Sequence, residues 1–165
     1  MTKYLFSLFL LTLISLSFSA CTKRDIKNTT VPTESSEPSP QSHDDVETLY
    51  NQGMDYYQQN DFEQAAQKFR QAAELNHAGA QFHLAALYRF GSGVPKDLER
   101  AIEWYRKAAE QDHVDAQLSL GMMYYKGIEI PQDFEEAEKW LSLAAELGNQ
   151  DAIDVLEEVR SMLVK

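Results

Sequence analysis

The residue types that carry acid–base, nucleophilic or metal-binding chemistry are thinly spread through this chain of 165 residues. His77 and His113 are 36 residues apart, a separation shared by many other residue types in the chain, so their spacing reflects a repeat. His43 and His83 have no cysteine, histidine or carboxylate at a recurring metal-ligand spacing. No Gly-x-Ser-x-Gly, P-loop or His-Glu-x-x-His motif is present. We therefore expect no catalytic residue, no metal site and no cofactor.

The single cysteine, Cys21, directly follows a segment typical of an export signal. Lys3 supplies a positive charge, and Tyr4 to Phe18 is apolar apart from small hydroxyl residues. This length suits a signal peptide and is too short for a stable membrane span. With one cysteine, no disulfide can form within the chain. Residues 1–20 are therefore predicted to be a signal peptide; the alternative for Cys21 is an ordinary secreted protein with one free thiol.

The four residues Phe18-Ser19-Ala20-Cys21 resemble the bacterial lipobox, in which small residues precede a cysteine that is acylated before cleavage. Phe18 departs from the Leu that is usual three positions before the cysteine. The resemblance implies that Cys21 becomes the lipid-modified N-terminus, palmitate being a typical acyl group, and that the chain is membrane-anchored. Thr22 stands where Asp tends to retain lipoproteins in the inner membrane, which implies the outer membrane, facing the periplasm.

Charge and composition limit the other partners. Removing residues 1–20 removes one base and no acid, which leaves 14 bases and 26 acids, a net charge of 14 − 26 = −12. Nucleic acid and anionic lipid surfaces would repel such a chain. Residues 21–43 contain Pro32, Pro38 and Pro40 among Ser and Thr, with few large apolar side chains, which predicts a disordered tether behind the lipidated cysteine.

From Asp44 to Lys165 the pattern changes to helical spacing and repeats itself. A shift of 36 residues superimposes the chain on itself at so many positions that composition cannot explain the coincidences. Upstream of Asp61 the offset falls to 32, so the first unit lacks four loop residues. The coinciding pairs include Ala80 with Ala116, Leu84 with Leu120, Tyr88 with Tyr124, Gly91 with Gly127, Pro95 with Pro131, Asp97 with Asp133 and Trp104 with Trp140.

Each unit is predicted to be a pair of helices. The first helix carries a small residue three positions before a tyrosine, as in Gly53-x-x-Tyr56, so that a neighbouring helix can approach. The second begins at Asp61, Asp97 or Asp133, which we interpret as N-caps, with Gln64 and Glu136 as capping-box partners.

Its buried stripe is predicted to comprise Ala65, Phe69, Ala72 and Ala73 or their equivalents. Because Trp104 and Trp140 occupy identical places, we assign both to the core. The stretch Gln150 to Leu163 is predicted to be one more helix, which caps the stack against water.

These residues resemble the Sel1-like repeat (SLR), a relative of the tetratricopeptide repeat (TPR). The second and third units carry Ala-x-x-x-Leu-Gly/Ala-x-x-Tyr and Ala-x-x-Trp-Tyr/Leu-x-x-Ala-Ala, while the first looks more like a plain TPR. The resemblance implies an all-α, right-handed α-solenoid of antiparallel helix pairs, with about three units and a C-terminal capping helix. It also implies protein or peptide binding on the concave face and no catalysis. Some cysteine-rich relatives are linked to penicillin binding, which does not carry over because the bracing cysteines are missing here.

In TPR-like stacks the first helix of each pair lines the inner groove. An aromatic, Met-rich groove with two cations suits an amphipathic helix or an extended peptide. We expect an adaptor of the bacterial cell envelope; the alternatives are a surface-exposed or host-interaction factor and, least favoured, a cell-wall enzyme. The predicted partner-binding residues are Tyr50, Met54, Tyr57, Phe82, Arg89, Phe90, Leu118, Met122, Tyr125 and Lys126.

Overall fold

The computed structural model describes residues 43–164, and side chains from residue 45 onward. Within this range the chain forms seven helices and no strand, in agreement with the predicted all-α solenoid of helical repeats. None of these seven helices has the length and apolar character needed to cross a bilayer. The predicted signal peptide, Cys21 and nearly all of the predicted tether lie outside the described residues. The helices are α1 (His43–Gln58), α2 (Phe62–Glu74), α3 (Ala78–Phe90), α4 (Leu98–Ala109), α5 (Val114–Lys126), α6 (Phe134–Glu146) and α7 (Gln150–Leu163).

The second helix of each pair begins at the predicted aspartate. Asp61 and Asp97 each accept a hydrogen bond from the backbone N–H three residues on, and Asp133 accepts from the N–H groups two and three residues on. A capping box also requires the side chain three residues on to accept from the backbone N–H of the N-cap residue, and this part of the prediction is wrong. The backbone N–H of Asp133 donates instead to the Tyr124 carbonyl at 3.0 Å, and the Glu136 carboxylate accepts from the indole of Trp140 at 2.9 Å.

The same backbone bond recurs in the other two units. The Asp61 N–H donates to the Tyr56 carbonyl, and the Asp97 N–H donates to the Tyr88 carbonyl. Each bond therefore joins the start of a second helix to the tyrosine of the preceding first helix. It satisfies one of the donors that a helix N-terminus leaves unpaired.

The turns between units also repeat. His77, His113 and Asn149, each 36 residues from the next, cap α3, α5 and α7 by accepting from the backbone N–H three residues on. This confirms that both histidines lie between units, and it gives them a role that the sequence analysis missed. The residue before each cap adopts positive φ, which Asn, Asp and Gly tolerate best: Asn76 at 67°, Asp112 at 59° and Gly148 at 85°.

Small residues on the first helices allow close contact with the second helices, as predicted. A Cβ atom on Gly53 would lie 2.6 Å from the Phe69 ring, and one on Gly121 would lie 2.5 Å from Leu141 Cγ. The alanines of the predicted stripe are almost completely buried. Trp140 is 3% exposed, which confirms its place in the core. Trp104 packs against the core but is only partly buried. The prediction that both tryptophans are core residues therefore holds fully for Trp140 and only in part for Trp104.

Buried glutamines connect consecutive units. Gln81 and Gln117, 36 residues apart, donate to the carbonyls of Ala73 and Ala109 at 3.1 and 3.0 Å. The Gln81 side-chain oxygen accepts from Gln111 at 2.7 Å. The Gln117 oxygen is buried and has no hydrogen-bond partner among the described residues.

Candidate functional site

The first helices α1 and α3 bring three of the predicted binding residues around one histidine. The His83 ring lies 6.0 Å from Tyr50, 5.8 Å from Tyr57 and 5.2 Å from Phe82, and it stacks on Phe69 at 5.1 Å. Tyr57 keeps 37% of its surface exposed, and Tyr50 and Phe82 are half-buried. We call these four residues, Tyr50, Tyr57, Phe82 and His83, the aromatic cluster.

His83 was not predicted to be part of the groove. Burial, with a further contribution from the positive charge that His113 can carry, lowers its pKa from 6.5 to about 4. The imidazole is therefore neutral at pH 7 and acts as an aromatic surface. The repeat offset pairs His83 with Ser119, which lines the depression described next, so the equivalence of the two positions became visible only with the structure.

Four other predicted residues line a single depression of about 480 Å³ along α5. Leu118, Met122 and Met123 supply the apolar part of its lining together with Ile128, which is 81% exposed. The polar part comes from charged side chains and one hydroxyl. The residues lining this depression, which we call the α5 depression, are Arg89, Leu118, Ser119, Met122, Met123, Lys126, Ile128 and Glu129.

Arg89 is not the free cation that the sequence suggested. Its Nε lies 2.5 Å from the Glu129 carboxylate, and its guanidinium lies 5.1 Å from the centre of the Phe90 ring. Lys96 also approaches Glu129, at 3.7 Å. Lys126 is exposed and has no carboxylate partner within residues 45–164. The α5 depression therefore offers one unpaired positive charge next to a neutralised pair.

A second depression, of about 430 Å³, adjoins the first. Tyr125 and Lys126 line it together with Ile128, Gln132, Phe134 and Met162. A hydrogen bond to Glu158 of α7 raises the pKa of the Tyr125 phenol, and Met162 is the α7 residue in the lining. Met54 packs against the core from α1, and Phe90, 67% exposed, stands outside both depressions at the end of α3.

The arrangement brings together side chains suited to binding. Among residues 45–164 no three His, Cys, Asp or Glu side chains come together as a possible metal site. The aromatic cluster and the two depressions present aromatic and thioether surface, beside charged groups at the end of α5. Such side chains dominate protein–protein contacts, and methionine adapts to irregular partners.

Comparison with known proteins agrees with this architecture. The Sel1 repeat model matches residues 78–113 and 114–149, and the tetratricopeptide repeat model matches residues 46–79, which confirms the TPR-like first unit. No curated protein sequence matches the chain significantly.

Three solved structures are similar. A Sel1 repeat protein from Oxalobacter formigenes is 33% identical with a TM-score of 0.61, over 67% of this chain and 47% of that one. A protective antigen of uropathogenic Escherichia coli strains, with the SLR fold, is 31% identical with a TM-score of 0.66, over 72% and 26%. Cysteine rich protein B of Helicobacter pylori is 25% identical with a TM-score of 0.54, over 68% and 95%.

This chain thus spans about half of the first structure and about a quarter of the second. The matches to the repeat families run from residue 46 to residue 149 without a break, over the helix pairs α1–α2, α3–α4 and α5–α6. The chain therefore belongs to the Sel1-like and tetratricopeptide-like repeat proteins.

Proposed function

We propose that this protein is an interaction scaffold that binds a protein or peptide segment along the groove formed by its first helices. The α5 depression carries this proposal. Arg89, Leu118, Met122 and Lys126 come from two helices and two repeat units, yet they line one depression. A depression of this size with a mixed apolar and charged lining accepts one or two large side chains, and its charged residues orient them.

The aromatic cluster extends the same surface towards the N-terminal unit. An amphipathic helix or an extended peptide could place one apolar side chain on Tyr57 and another in the α5 depression. The repeat architecture supports this, because consecutive first helices present their side chains at a regular spacing. Tyr57 and Phe90 are the more exposed aromatic anchors, and Lys126 is the charge available to an acidic partner group.

Partner capture in cells tests the groove. A photo-crosslinking amino acid in place of Met122, which is half-buried in the α5 depression, should trap the partner for identification by mass spectrometry. Tyr57→Ala, Phe90→Ala and Lys126→Glu should each weaken capture and leave the helical circular dichroism unchanged. Glu63→Lys, an exposed substitution on α2, is the matched control and should have no effect. Equal capture by all variants would refute the groove.

Arg89→Glu needs separate treatment because Arg89 is paired with Glu129. The reversal places two carboxylates together and destabilises the loop after α5 as well as removing a cation. The double change Arg89→Glu with Glu129→Arg restores an ion pair of opposite orientation. If the partner contacts Arg89 itself, the double variant should remain defective in capture although its stability recovers.

Our proposal also includes the cellular setting: a lipid anchor on Cys21 and adaptor work in the bacterial cell envelope, at the outer membrane facing the periplasm. The order of Lys3, the apolar run and Phe18-Ser19-Ala20-Cys21 supports it. Cells fed labelled palmitate should label the wild-type chain, whereas Cys21→Ser should remain unlabelled and unprocessed. Labelling of both chains, or of neither, would reject the anchor.

A second candidate is a surface-exposed or host-interaction factor. The observation that favours it is the similarity to a protective antigen of uropathogenic Escherichia coli strains. Protease treatment of intact cells separates the two settings, since only a surface-exposed chain is digested from outside.

A further inference from the structure

Two arginines from different repeat units converge on one tyrosine hydroxyl, on the side of the stack formed by the second helices. Arg70 Nη2 of α2 lies 3.0 Å from Tyr88 Oη, and Arg100 Nη1 of α4 lies 3.4 Å from the same atom. The Arg100 guanidinium also stands 5.5 Å from the centre of the Tyr88 ring. This gathering of positive charge is unexpected in a chain with a net charge of −11.

Carboxylates neutralise this cluster only in part. Asp97, the N-cap of α4, lies 3.2 Å from Arg100 Nε and so compensates one of the two charges. Arg70 has no carboxylate partner within residues 45–164 and is exposed. Counting ion pairs alone, the two exposed arginines keep an excess of one positive charge, carried by Arg70, beside the buried Tyr88 ring; Glu103 lies close enough to Arg100 to act on it as well.

Donors outnumber acceptors in the cluster. Both guanidiniums donate to Tyr88 Oη, and no acceptor among the described residues takes the proton of that hydroxyl. Asp97 is paired with Arg100, so the Arg70 guanidinium and the Tyr88 hydroxyl proton are the donors left without an anionic acceptor. A tetrahedral phosphoryl group offers three acceptor oxygens to donors from three directions, whereas a carboxylate offers two in one plane.

The next repeat provides a natural comparison. Arg106 corresponds to Arg70 and donates to the hydroxyl of Tyr124, the counterpart of Tyr88, at 3.3 Å. The position of Arg100 is taken there by Glu136, which reverses the charge. Both repeats thus share one hydrogen bond from an arginine to the tyrosine hydroxyl. The second arginine, Arg100, is found only at Tyr88.

From this convergence we propose that Arg70, Arg100 and Tyr88 form a binding site for a phosphoryl group, carried either by a soluble phosphate ester or by a lipid headgroup. The guanidinium forks hold the phosphoryl oxygens, and the Tyr88 hydroxyl donates to the same group. The site is independent of the groove and of its peptide ligand.

The test is a titration of the full chain with inorganic phosphate at constant ionic strength, followed by the NMR signals of the arginine Nε–H groups. Saturable shifts are expected at Arg70 and Arg100. Arg70→Gln and Arg100→Gln should each weaken binding about tenfold or more, as for the loss of a charge-assisted hydrogen bond. Arg106→Gln removes the same charge at the equivalent place and should change the affinity by less than about twofold.

Tyr88→Phe keeps both charges and provides a second route if Arg70→Gln fails to fold; it should also weaken binding. The two sources are separated with phosphatidylcholine vesicles that contain or lack phosphatidic acid. Retention that depends on phosphatidic acid and on both arginines indicates a lipid headgroup, and phosphate binding without such retention indicates a soluble ester. Absence of saturable binding, or an equal loss in Arg106→Gln, would overturn the site.

Discussion

The unpaired side-chain oxygen of Gln117 leads to a prediction about stability, for which the preceding repeat unit of the same chain provides the model. Gln81 occupies the equivalent position, and its oxygen is satisfied by Gln111 at 2.7 Å. The residue 36 positions after Gln111 is Leu147, which cannot donate. The substitution Leu147→Gln should therefore supply the donor that Gln117 lacks in the last helix pair.

The magnitude follows from the burial of the two groups. Leaving a buried acceptor unpaired costs about 1–3 kcal/mol, and a new hydrogen bond contributes a net of about 1 kcal/mol. Leu147 is 50% exposed, so its replacement sacrifices little apolar burial. We expect Leu147→Gln to raise the free energy of unfolding by about 1 kcal/mol, or the melting temperature by about 4 °C. Gln111→Leu should lower the free energy of unfolding by about 1–2 kcal/mol, because it leaves the Gln81 oxygen unpaired.

Urea and thermal unfolding, followed by circular dichroism, measure both changes. Leu75→Gln is the control, since Leu75 holds the same repeat position and is 40% exposed. The position equivalent to Gln117 in that unit is Leu49, which has no acceptor to satisfy. Leu75→Gln should therefore change stability by less than about 0.5 kcal/mol. If Leu147→Gln stabilises no more than this control, the reasoning about the unpaired oxygen is refuted.

Three further predictions concern packing and protonation. Gly121→Ala should destabilise the fold by about 1–3 kcal/mol in urea unfolding, because the added Cβ meets Leu141 at 2.5 Å; a neutral result would show that α5 and α6 can separate freely. Gly93→Ala should cost at least as much, since Gly93 has a φ of 67° and its Cβ would lie 2.2 Å from the Phe62 carbonyl carbon. Because His83 has a pKa of about 4 in the folded chain and 6.5 otherwise, its contribution is complete above pH 6.5 and is lost as the pH falls towards 4. That loss should be about 2 kcal/mol in the free energy of unfolding, after allowance for partial exposure. Unfolding curves recorded above pH 6.5 and near pH 4 measure it, and the His83→Phe variant should lack this contribution to the difference between them.

Much of the fold could be predicted because its determinants are local and periodic. A Gly or Ala three residues before a tyrosine, an aspartate at a helix start and a glycine at a helix end each act within one turn. Their recurrence at 36 residues then predicts that every unit packs in the same way. The bounds of the last helix, Gln150–Leu163, agreed with the sequence for this reason.

The groove was less predictable because its residues interact over long separations. Arg89 and Glu129 are 40 residues apart, and the loop that carries Glu129 has Gly93 at the same place in the preceding unit. A helical register therefore marks Arg89 as groove-facing but cannot show that it is neutralised. The role of His83 was missed because its aromatic neighbours on α1 come from a different unit.

By itself, the sequence determined the helix pairs, their caps and their repetition, since short-range hydrogen bonds and periodic burial specify them. It also supplied candidates for a binding surface, of which Arg89, Leu118, Met122 and Lys126 line the α5 depression. Only the tertiary structure decided which charges remain unpaired, which buried oxygen lacks a donor and where two arginines meet one hydroxyl. Those features depend on side chains from separate units that approach within a few ångströms. The repeat pattern describes what the units share, but it does not show which neighbours are contacted by a residue that differs from its counterparts in the other units.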